Sequence, residues 1–143
     1  MPTFTRPRSV VPLFISLVVL GFLAAFVVSS PPPVEAVSTT LVVSQIYGAG
    51  GNSGSTLKND FIEIFNRGAG TVSIAGWSVQ YGAATGTTWQ VTNLSGSIAP
   101  GQYYLVQEGT GGAGTVGLPT PDATGTINMA AGAGKVALVN STT

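Results

Sequence analysis

The chain has 143 residues, with 20 Gly and 9 Pro but no Cys, no His and only five basic and five acidic side chains. The missing thiolate and imidazole exclude the usual zinc, iron–sulfur and haem ligands and both Ser-His-Asp and Cys-His catalysis. A formal net charge of zero leaves no electrostatic footprint for DNA or RNA, and the length suits one domain.

The first element is an export segment. Arg6 and Arg8 precede an uncharged run over residues 10–30, followed by Pro31-Pro32-Pro33 and Val34-Glu35-Ala36. A basic stretch, an apolar stretch and then small residues is the order of a secretory signal, and Val34 and Ala36 set cleavage before Val37. The run is also long enough to span a bilayer, and membrane helices tolerate the Pro12 and Gly21 within it. Residues 1–36 therefore read as a signal peptide or an uncleaved membrane anchor. In both cases the two arginines stay cytoplasmic, and residues 37–143 are secreted or displayed at the cell surface.

The exported part carries Lys58, Arg67 and Lys135 against Asp60, Glu63, Glu108 and Asp122, a net charge of −1. It has no disulfide to staple it, so packing and ladder hydrogen bonds must hold it together. Its apolar segments are short, β-branched and aromatic, and Gly, Asn, Pro or Ser bound them, which is the signature of strands. No helix is expected. Strands are predicted over residues 41–47 (LVVSQIY), 60–66 (DFIEIFN), 71–74, 76–81 (GWSVQY), 87–92 (TTWQVT), 103–107 (YYLVQ), 126–129 and 135–139 (KVALV). Residues 82–86 join the fourth and fifth as a hairpin. Ala99-Pro100-Gly101-Gln102 has Pro and Gly at the two central positions, which favours a type II turn.

These elements predict an all-β fold, an antiparallel β-sandwich. The expected core is Val42, Ile46, Ile62, Ile64, Ile74, Trp77, Val79, Trp89, Val91, Leu105, Val136 and Leu138. Burying the two Trp side chains would remove about 150–250 Å² each from water.

Ordered motifs within these strands resemble the lamin-tail domain, an immunoglobulin-like module of nuclear filament tails and of bacterial exported proteins. They are Asp60-Phe61-Ile62-Glu63-Ile64-Phe65-Asn66, Ile74-Ala75-Gly76-Trp77-Ser78-Val79, Ile98-Ala99-Pro100-Gly101-Gln102-Tyr103-Tyr104-Leu105-Val106 and Lys135-Val136-Ala137-Leu138-Val139-Asn140. The loop before Lys58 and the stretch Leu118-Pro119-Thr120-Pro121-Asp122 point to the bacterial exported branch. The resemblance implies an immunoglobulin-like sandwich. It implies structural roles for the motif residues Asp60, Glu63, Asn66, Gly76, Trp77, Pro100 and Gly101. It also implies at least one further strand after residue 139, so residues 37–143 read as a C-terminally incomplete domain with an open sheet edge.

Candidate sites are few. The loop from Tyr47 to Ser55 lacks the third Gly of a dinucleotide fingerprint, since Ser53 stands there, and no helix follows to hold a phosphate. Asp60 and Glu63 lie three apart on a strand and point to opposite faces, so they cannot share acid–base work. Four scattered carboxylates make no recognisable calcium cage. Trp77, Tyr81, Trp89, Tyr103 and Tyr104 could form an aromatic platform for sugar, or pack in the core; one of Tyr103 and Tyr104 must face outward. No catalytic, cofactor or metal residue is assigned.

The expected role is that of a non-catalytic exported binding or adaptor module attaching to a protein, membrane or cell surface. The alternative is the accessory N-terminal part of a secreted nuclease- or phosphoesterase-type hydrolase whose catalytic domain lies beyond residue 143. The open edge admits a strand-addition partner. No nucleic acid partner is expected, because three basic residues neutralise few phosphates. Titration with duplex DNA at physiological salt should give no measurable binding; a micromolar affinity falling steeply with salt would contradict this.

Overall fold

The computed structural model describes residues 40–143; the expected signal or anchor segment, residues 1–36, and its expected cleavage point lie outside them. Residues 41–47, rich in β-branched and aromatic side chains, form β1 (Leu41–Tyr47). The chain then adds β2 (Asn59–Asn66), β3 (Val72–Ser73), β4 (Ser78–Ala83), β5 (Trp89–Asn93), β6 (Ser97–Ile98), β7 (Tyr103–Thr110), β8 (Ala123–Thr124) and β9 (Gly134–Val139). No helix occurs among the described residues. The strands make a four-stranded sheet in the order β1-β2-β7-β8, a three-stranded sheet in the order β5-β4-β9 and a small β3-β6 ladder. Every pairing is antiparallel except β7 with β8. This is the expected all-β, immunoglobulin-like sandwich.

The core lies where the inner faces of the sheets meet. Ile62, Ile64, Ile74, Val79 and Val106 are fully buried, joined by Leu41, Tyr81, Leu94, Ile98, Tyr104, Ile127 and Met129. Ile62, Ile64, Ile74 and Val79 were expected there. Trp77, Val136 and Leu138 are only partly buried, packed against the core from its margin.

The remaining core assignments are corrected by register. A bulge between Val43 and Gln45 switches which residues of β1 face inward. Leu41 and Val43 sit opposite Asn66 and Ile64, while Val42 sits opposite outward-facing Phe65. Ile46 returns to the inner side but lies at the strand's open end, half exposed. In β7, Tyr104 and Val106 pair with Ile64 and Ile62, which turns Leu105 outward. In β5, Thr92 is the buried residue, and Trp89 and Val91 are exposed on the outer face. Alternation was read correctly there, but the polar phase faces inward. Neither Trp is buried.

Residues 126–129 are not a strand. The eighth strand is the short Ala123–Thr124, and Ile127 and Met129 enter the core from irregular backbone. Two-residue β6 was not anticipated. The turn after it has the expected geometry: Gly101 has φ 70° and Gln102 N–H donates to Ala99 O at 3.1 Å, as a type II turn requires.

Truncating Ile64 to Ala should cost about 2–5 kcal/mol. Val91→Ala should cost under about 1 kcal/mol. Denaturant unfolding of the two variants measures the difference, and equal losses would return Val91 to the core.

Candidate functional site

Strand β2 places its even-numbered residues inward and its odd-numbered residues outward. Asp60 therefore points into the protein, 3% exposed, and Glu63 lies on the opposite face. A buried carboxylate must be fully hydrogen-bonded or it costs several kcal/mol. Asp60 is satisfied by backbone: Gly50 N–H donates to Oδ1 at 2.8 Å and Met129 N–H to Oδ2 at 2.7 Å. Its two oxygens thus join two loops across the inner side of the sheet.

The carboxylate that approaches Asp60 is Glu108, which alternation along β7 places on the same inner face as Tyr104 and Val106. It is 1% exposed. Its Oε2 accepts Ile127 N–H at 3.0 Å, while Oε1 and the nearby Thr92 Oγ1 meet no partner in hydrogen-bonding geometry. Burial pushes the Glu108 carboxyl above its ordinary value of 4.5. The Thr92 hydroxyl and the Ile127 N–H oppose that shift, and the Asp60 charge adds a little to it. The sequence reading missed this pair. The signal was present in the inward phase Tyr104, Val106, Glu108, once that phase is known.

Asn66 closes the other end of β2. Fully buried, it accepts Gly68 N–H at 2.9 Å and donates to Gly70 O and Ile98 O at 2.9 and 2.8 Å. Gly76 adopts φ 80° in the turn before β4. Trp77 donates its N–H to Ile74 O and accepts from Leu94 N–H. Pro100 is exposed beside Gly101, whose N–H donates to Asn66 O at 2.8 Å. These positions are spread along the domain and do not converge on a cleft. Among the described residues no group of three or more Asp, Glu, His or Cys is placed to hold a metal ion.

The five aromatics considered as a platform also separate. Tyr81 and Tyr104 are buried; Trp89 lies on the outer face of the three-stranded sheet, and Tyr103 on the outer face of the four-stranded one. Lys135 Nζ stands 5.6 Å from the Trp89 ring centroid, a cation–π distance, and is tied to Gly86 O at 2.8 Å. Trp77 instead lines an apolar groove with Leu41, Val43, Leu138, Val139 and Asn140. That groove runs between β1 and β9, the terminal strands of the two sheets.

Fold and site together describe an immunoglobulin-like module with buried polar ties, whose terminal strands β1 and β9 each pair with one neighbour among the described residues. The sequence model of the lamin tail domain matches residues 35–143, and the chain belongs to the lamin tail domain family. No curated protein matches the sequence significantly.

The raised Glu108 pKa fixes the sign of a pH effect. The fold favours the neutral carboxylic acid, so this contribution is complete below the unfolded value near 4.5. It is lost as pH rises from there through the folded value. Glu108→Gln should therefore flatten the decline in stability above that pH, as read from denaturant midpoints across a pH series. An unchanged profile would assign the decline to other groups.

Proposed function

We propose that this chain is an exported, non-catalytic adaptor that holds a partner at the cell surface through the groove between β1 and β9. The observation that carries the reading is the groove itself: an uncharged lining, apolar but for Asn140, beside β9, which pairs only with β4 among the described residues. The outer edge of such a strand presents a row of N–H and C=O groups, and an extended partner segment satisfies them by strand addition. Its alternate side chains would rest on Trp77 and Leu138. The burial of Asp60 and Glu108 as backbone ties supports the non-catalytic part. Export rests on the sequence pattern of residues 1–36.

The test is retention of the exported chain on the producing cell's envelope. Val139→Asp places a charge in the groove without entering the buried core, and should release most of the chain into the medium while its melting temperature stays near that of the parent. Equal retention of parent and variant would overturn the groove reading and assign attachment to the N-terminal segment.

A further inference from the structure

The outer face of the four-stranded sheet carries an arrangement that the core does not explain. Register places three rows across β1, β2 and β7: Val42, Phe65 and Tyr103; Gln45, Glu63 and Leu105; Tyr47, Phe61 and Gln107. Aromatic pairs occupy the first and third rows. Phe65 and Tyr103 have centroids 4.6 Å apart, and Tyr47 stacks on Phe61 at 5.6 Å. Phe61 is buried yet lies outside the hydrophobic core cluster, because Tyr47 covers it from the outer side. Tyr103 is 58% exposed.

Glu63 is the sole charged side chain of these nine. Same-face residues on a strand are separated by about 7 Å, so Glu63 lies in the row midway between the two aromatic pairs. It is half-buried, and Ser44 Oγ at the β1 bulge donates to its Oε1 at 2.7 Å. That hydroxyl orients the carboxylate without neutralising it. Lys58 and Arg67, the nearest cations in sequence, stand outside β2 at its two ends.

A negative charge flanked by aromatic rings selects a cation that is itself flat and weakly hydrated. A guanidinium meets both demands, forking onto a carboxylate and stacking on aromatic faces. An anionic lipid surface is repelled by Glu63 and finds no cation among the nine. We propose that this face is a docking strip for an extended, arginine-bearing segment of a partner protein. Glu63 is its charge anchor, and Tyr103, Phe65 and Tyr47 are its stacking flanks. The strip uses the outward residues of the sheet, whereas the β1–β9 groove uses the inward Leu41 and Val43, so either surface can fail without the other.

The test measures binding of the 143-residue chain to three immobilised nonapeptides that alternate Thr with Arg, Gln or Glu. The Thr/Arg peptide should bind saturably and the other two should not. Glu63→Gln and Tyr103→Ser should each weaken it by about tenfold or more, with melting temperatures near the parent's because neither side chain enters the core. Several outcomes overturn the proposal. These are no saturable binding up to millimolar peptide, equal binding of the Thr/Gln peptide, or an affinity indifferent to both variants. Two others reassign the strip. Sedimentation showing a dimer that Tyr103→Ser dissociates gives it to a second copy. Co-sedimentation with phosphatidylcholine vesicles that the variants abolish gives it to a membrane.

Discussion

The four inward residues of β2 organise the described domain. Ile62 and Ile64 are fully buried at the centre of the core, and Asp60 and Asn66 stand at either end of them. A polar group removed from water must find partners within the protein, and these two find theirs on backbone, Asp60 in two distant loops and Asn66 in the turn that follows it and at Ile98. Asp60 binds Gly50 and Met129; Asn66 binds Gly68, Gly70 and Ile98. One strand thus supplies the apolar centre of the sandwich and the ties that hold loops over its ends. A chain without disulfides and with few charges gains order from this arrangement, because the ties to Gly50, Met129 and Ile98 are buried and therefore intolerant of slippage. Glu108 extends the same device from β7 to Ile127, with its carboxyl held toward the neutral form by burial.

With the carboxylates buried in this way, the proposed contacts fall on the outside of the domain. The inner faces are filled, and the features facing solvent are strand edges and outer sheet faces. The two differ in character. The β1–β9 margin is apolar and uncharged, suited to main-chain pairing with apolar side chains beneath. The outer face of β1-β2-β7 combines rings with one oriented carboxylate, suited to a cationic side chain. A rigid sheet suits both, since its register holds the contact residues without cost to the partner.

Some of this was legible in the residues alone. The absence of His and Cys, the short β-branched segments and the turn signals defined an all-β module without the usual catalytic groups. The spacing of Asp60 and Glu63 correctly placed them on opposite faces, because a strand's period of two follows from backbone geometry alone. The family was legible in the order of the motifs through β2, β4, β7 and β9.

The phase of that period had to come from the tertiary structure. Alternation states which residues share a face but not which face is buried, and a single bulge reverses the answer within a strand. Hence Val42, Leu105, Trp89 and Val91 were assigned inward and lie outward, while Tyr104, Val106 and Thr92 take the inner positions. The meeting of Asp60 with Glu108, the groove between β1 and β9 and the rows around Glu63 all join residues distant in sequence. Their positions depend on strand order and register, which only the packing of the two sheets decides. Local chemistry determined the kind of fold this is; long-range pairing decided which of its side chains face solvent.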